Sequence, residues 1–175
     1  MGTYTTHARR VLSDCQHAWD RLELTTNDVE FRLFWVAAVA LIRTVGHVLR
    51  KVDGDAQPQL RRVAELHFKS WKTGDPSHRI FQGFIERERN NILKEYASEI
   101  SEGDIPVAVL GDDEGVFSLD ENLFRPMDGG PYAGEDGRDV LKEAIDWWSQ
   151  RLDEIDGQTS AEINADSPLH GVRPA

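Results

Sequence analysis

The chain has a single cysteine, Cys15, among its 175 residues. An internal disulfide is therefore excluded, and the composition fits a reducing, cytoplasmic compartment. Long apolar runs are also lacking. The longest, Leu33 to Ile42, has ten residues, about half of a ~20-residue membrane span, and reads as a core helix. No basic start leads into an apolar segment, so neither a secretory signal nor a membrane partner is expected. Glu-x-x-His and His-x-x-x-His are both absent, which removes the common ways in which helices hold a metal. The acidic turn Asp112-Asp113-Glu114 lacks the alternating ligands and closing glutamate of a calcium loop. The expectation is no metal and no cofactor.

Basic residues are scarce in one half only. Residues 1–100 carry 15 Lys/Arg and 13 Asp/Glu, whereas residues 101–175 carry 5 and 18. The overall charge of −11 opposes broad, sequence-independent nucleic-acid binding, in which neutralising phosphates dominates affinity. A local basic site is still allowed. Arg43, Arg50, Lys51, Arg61, Arg62, Lys69 and Lys72 outnumber Asp53, Asp55 and Glu65 in one stretch. Within it Arg43, His47 and Arg50 are spaced i, i+4, i+7, which makes a cationic edge on one helix and a candidate anion-facing site.

Hydrophobic spacing and cap chemistry predict five helices. The first covers about Thr5 to Leu24, with Ala8, Val11, Leu12, Cys15, Ala18, Trp19 and Leu22 at helical spacing. Asn27, with Glu30 three residues on, starts a second, central helix that ends near Gly54. A third runs from Pro58 to Thr73, stopped by Gly74, and a fourth starts at Asp75-Pro76 and ends before Gly103. The fifth covers Arg138 to Asp156 and stops at Gly157. Short links between the first four predict an all-α, up-and-down bundle over residues 1–157. Residues 103–137 hold seven of the 14 glycines and form an insertion. Within it Ile105–Leu110 and Val116–Leu119 read as a small β-hairpin before the last helix. The polar residues 158–175 read as a disordered tail.

The fourth helix carries the main candidate site. On a helical projection Phe81, Ile85, Ile92, Tyr96 and Ile100 share one face, and Arg89 falls within that arc. A cation there needs a carboxylate, a second subunit or a bound anion. Asn90, Lys94 and Tyr96 surround it.

Arg89-Asn90, on a late helix of a small bundle, resembles the motif of the HEPN superfamily (higher eukaryotes and prokaryotes nucleotide-binding domains). Members include metal-independent ribonucleases of toxin and defence systems that act as dimers. Their motif is an Arg, commonly followed by a polar residue, and then a His after four to six residues. Here Arg89 and Asn90 match, whereas Lys94 and Tyr96 stand where the histidine would be. The resemblance implies a homodimer associated with nucleotide or RNA, non-catalytic or weakly catalytic because the motif base is missing. Two other expectations stand beside it. One is an active metal-independent ribonuclease with a variant Arg89, Asn90, Lys94 and Tyr96 site, so whether the chain is an enzyme stays open. The other is an adaptor whose acidic half meets a basic protein partner.

Overall fold

A computed structural model describes residues 2–95, 98–101, 106–109, 115–118 and 124–166, with side chains omitted at 93–95 and in 106–109 and 115–118. The described architecture is an all-α helical bundle. Its helices are α1 (Thr6–Leu24), α2 (Asp28–Val48), α3 (Pro58–Ser70), α4 (Arg87–Glu95) and α5 (Gly137–Asp166). A π-helical turn, Leu49–Asp53, and the short segment Gly54–Ala56 prolong α2, and a second π-turn, Phe81–Glu86, leads into α4. The continuous stretch Asp28–Ala56 is long and apolar enough to cross a membrane by length and composition. One face of it builds the core, through Phe31, Trp35, Ala38, Val39, Ile42 and Val45. Strands Pro106–Val109 and Gly115–Ser118 pair antiparallel, with Val107 opposite Phe117. Residues 110–114 lie outside the described residues.

Several boundaries follow from local chemistry. The Asn27 side chain accepts from the Glu30 backbone N–H at 3.0 Å and caps α2. Glu30 accepts from the Thr25 hydroxyl at 3.1 Å, two residues before the Asn27 N–H that a standard capping box would engage. Gly74 has φ +83°, a left-handed conformation that ends the turn after α3 with no side-chain penalty. Asp75 then accepts from Ser77 N–H at 2.9 Å and opens a short 3₁₀ turn at Pro76–His78.

The start of α1 is held from a distance. Thr5, at its N-cap, makes no side-chain cap bond to the helix. Instead the buried carboxylate of Asp156 accepts from Tyr4 N–H at 2.8 Å, Thr5 N–H at 3.1 Å and the Thr5 hydroxyl at 2.9 Å. The buried carboxylate of Asp53, at the end of the first π-turn, accepts from His7 and Ala8 N–H at 3.1 and 2.9 Å. Two negative charges thus satisfy the orphan donors at the positive end of the α1 dipole. Arg9 closes the group on Asp156 at 2.9 Å.

The core centres on Trp71, whose ring centroid lies 4.7 Å from Phe68, 4.9 Å from Trp147, 5.3 Å from Trp148 and 5.4 Å from Phe81. Adjacent tryptophans from α5, Trp147 and Trp148, both enter it and are buried. Gly46 lets this cluster close: a Cβ there would lie 2.8 Å from Phe68 and 3.0 Å from Trp148. Burial pushes the Cys15 thiol up to about 12, which makes it an inert core residue.

The expected stop of the last helix at Gly157 is corrected. α5 continues through Gly157 to Asp166, so residues 158–166 belong to the bundle and not to a disordered tail; 167–175 lie outside the described residues. A mid-helix glycine costs about 1 kcal/mol relative to alanine. Tertiary contacts offset it: Thr159 extends the buried stripe of Leu152 and Ile155, Gln158 meets His67 at 3.0 Å and Arg62 reaches Glu162 at 3.1 Å.

The segment entering α5 is pinned by ionic contacts. Arg125 is 2% exposed, pairs with Asp28 at the start of α2 and lies 4.8 Å above the Phe31 ring. Asp136 takes Arg125 N–H at 3.1 Å and the Arg138 guanidinium at 2.7 Å. Burial acts to raise the Asp136 pKa, but the hydrogen bonds from Arg138 and Arg125 outweigh it and hold the carboxyl below the usual aspartate value.

Two outcomes follow. Asp156→Ala is expected to lower the unfolding free energy by about 3 kcal/mol, and Asp153→Ala, on the surface, by less than about 1 kcal/mol, both read from urea transitions. A depressed folded pKa gives stability that is present above the unfolded value and lost as pH falls through the folded one. The deficit of Asp136→Asn against the parent is therefore expected in full at neutral pH. It should close as pH falls below the ordinary aspartate range and through the depressed folded pKa, in thermal melts taken across pH.

Candidate functional site

The orientation of α4 decides where Arg89 goes. Phe81, Phe84, Ile85, Glu88 and Ile92 are buried, and Glu88 is only 1% exposed. Its carboxylate accepts from Trp35 Nε1 at 3.1 Å, Ser98 Oγ at 2.7 Å and Glu99 N–H at 3.1 Å. These bonds fasten α4 to α2 and to the chain leaving α4. The expectation that Arg89 occupies the buried arc is therefore corrected: Glu88 does, and Arg89 is half-buried at the edge of the face. The five-residue arc ending at Tyr96 and Ile100 hides this, because those two shift its centre toward Arg89. With Phe81, Ile85 and Ile92 alone, Glu88 lies nearer the centre of the face than Arg89 does.

Successive residues on a helix are turned by 100°, so packing Glu88 inward swings Arg89 toward the flank of α2. There it joins residues of the other candidate group. Arg89 lines a cleft of about 210 Å³ with Ala40, Arg43, Thr44 and His47. The four α2 residues are spaced i, i+3, i+4, i+7 and share one face. Ala40 is small and leaves the space open, and the Thr44 hydroxyl is turned back onto the Ala40 carbonyl at 2.7 Å. Arg89 Nη1 donates to Asn90 Oδ1 at 2.8 Å, which steers the guanidinium. Asn90 thus positions Arg89 and does not itself line the cleft.

The cleft is electrostatically one-sided. Among the described residues, Arg43, His47 and Arg89 have no carboxylate within ion-pair distance. Two other residues of α4 are paired: Arg87 grips Glu99 at 2.7 and 2.8 Å, and Asn91 meets the same carboxylate at 3.1 Å. The hydrogen bonds that Arg87 donates to Glu99 also raise the Arg87 pKa. Two guanidiniums facing one small volume repel each other, and an anion entering it removes that repulsion. The arrangement suits a phosphate or carboxylate, with Arg providing forked donors.

Of the remaining candidates, Arg50 turns to a different groove, where its guanidinium carbon sits 5.2 Å over Phe68. Tyr96 lies outside the described residues, as does the Lys94 side chain. Among the described residues no group of three or more His, Cys, Asp or Glu is placed to hold a metal ion. An acidic pocket lined by Glu23, Glu135, Asp136 and Asp139 is compensated by Arg138. Residues that the sequence did not point to are Glu88, Ala40 and Thr44. Compared with family models, curated proteins and solved structures, the chain matches none.

Glu88→Ala is expected to cost about 2–3 kcal/mol, because it strands the Trp35 and Glu99 donors. Arg89→Ala should stay within about 0.5 kcal/mol of the parent, as expected for an edge residue with no ion pair. Chemical denaturation of the two variants side by side checks the assignment of the buried charge.

Proposed function

We propose that this chain is a HEPN-like, homodimeric, cytoplasmic protein that binds a phosphate of a nucleotide or RNA in the Arg43–His47–Arg89 cleft. In this reading it belongs to a toxin–antitoxin type of defence system and has little or no catalytic activity. The observation that carries the proposal is the convergence of Arg89 from α4 with Arg43 and His47 from α2, without a neutralising carboxylate among the described residues. The homodimer draws support from the same face of α2. Val29 and Leu33 are 53% and 57% exposed and continue, at helical spacing, into Ala40 and the cleft.

His47 supports a second reading, an active metal-independent ribonuclease. Such a reaction needs a group that takes the 2′-hydroxyl proton and cations that hold the charge developing on the phosphorane. Lys94 and Tyr96 were the sequence candidates for the first task. An imidazole is better suited to proton transfer near neutrality, and His47 lines the cleft that Arg43 and Arg89 share. In this reading the motif histidine has a substitute from another helix, with Arg43 and Arg89 facing the phosphate and Asn90 orienting Arg89.

Calorimetric or anisotropy titration with mononucleotides and single-stranded RNA at low salt tests both readings. Arg43→Ala and Arg89→Ala are each expected to weaken binding at least about tenfold, with melting temperatures close to the parent. Absence of binding by the parent would sink the nucleotide reading. Cleavage of RNA in the presence of EDTA, lost in His47→Ala while binding persists, would select the ribonuclease.

A further inference from the structure

The cationic edge of α2 continues beyond the cleft. Arg43, His47 and Arg50 follow one side of the helix, and seven residues place Arg50 about 10 Å along the axis from Arg43. His47 and Arg50 are both exposed. Arg50 lines a second groove, of about 280 Å³, with Glu65, Phe68, Lys69 and Lys72. Its guanidinium is held over the Phe68 ring by a cation–π contact, which fixes the charge at the groove wall.

The charges in this groove are weakly compensated. Among the described residues, Arg50 and Lys69 have no carboxylate within ion-pair distance. Lys72 has a long contact of 3.7 Å to Glu86, and Glu65 is engaged by Arg61 at 3.4 Å. Lys69 also complements the dipole at the end of α3, but that role explains neither Arg50 nor Lys72. Two cationic hollows therefore open on either side of this edge, one toward α4 and one toward α3, with His47 of α2 and Arg50 of the π-turn a single helical turn apart.

We propose that the Arg50–Lys69–Lys72 groove is a second phosphate subsite, and that the ligand is a single-stranded oligonucleotide long enough to place a phosphate in each hollow. The proposal rests on the reading of the Arg43–His47–Arg89 cleft as a phosphate site. A flexible single strand can bend from the α4 side of α2 to its α3 side. A stiff duplex needs a wide basic face, and the net charge of −11 opposes one. A mononucleotide reaches only the first hollow.

Anisotropy titrations of the full chain with a labelled mononucleotide and a labelled ten-nucleotide single-stranded RNA test this. Arg50→Ala/Lys69→Ala is expected to weaken RNA binding about tenfold and leave the mononucleotide unchanged. The slope of log affinity against log salt should fall by ~0.7 for each lost contact. Lys69→Ala alone, away from the Phe68 stack, should weaken RNA about threefold and guards against a folding artefact. RNA affinity unaltered in both variants, with Arg43→Ala still weakening both probes, overturns the second subsite and leaves the first standing. A parent that binds neither probe overturns the cleft reading and the subsite together. Inorganic polyphosphate that competes as well as unlabelled RNA of equal charge overturns the nucleic-acid assignment.

Discussion

The bundle depends on how the first turn of α1 is satisfied. Its N–H groups have no local cap, and two buried carboxylates from remote parts of the chain take that role. Asp53 arrives because the π-turn at Leu49–Asp53 buries it beside Leu49. Asp156 arrives on α5. Each carboxylate alone would pay a large desolvation cost, and each is offset by several aligned donors at a positive helix end. The grip fixes α1 against α2 and α5 together, which are the elements that α1 packs on. Everything above it, including the position of the cleft on α2, is referred to that corner.

A second buried carboxylate arrangement sets the site. Glu88 is held by an indole, a hydroxyl and a backbone amide, so α4 has a single rotational setting on α2. The setting turns Arg89 outward into company with Arg43 and His47. The cation that carries the functional reading is thus displayed by an anion that carries none of it. The pattern is economical in charge: Glu99 absorbs Arg87 and Asn91, Glu88 absorbs the core donors, and Arg89 is left facing the cleft.

Much of the fold was legible in the sequence because the signals were local. The Asn27 cap, the Gly74 stop, the Pro58 start and the apolar spacing of α1 act within one or two turns, and the structure keeps them. What could not be read was set by distant partners. Gly157 is a stop signal in isolation, yet α3 holds the helix through it by Arg62 and His67. Asp53 and Asp156 look like ordinary surface acids until the fold brings them to α1. The cleft shows the same division. Arg89 and the Arg43–His47 pair could each be named from spacing, but their meeting is a property of the Glu88 anchor and the π-turn before it. Arg50, one turn on, parts from them because Phe68 offers its ring.

The tie between Tyr4, Thr5 and Asp156 also has a meaning in time. A ribosome delivers the first helix about 150 residues before the carboxylate that completes its end. Until α5 emerges, α1 and α2 can pair only through a corner that lacks half of its charge. The first hairpin of helices is thus provisional during synthesis, and the bundle locks as a unit when the last helix docks. A chain cut short before α5 loses more than one layer, because it loses the closing contact of its own beginning.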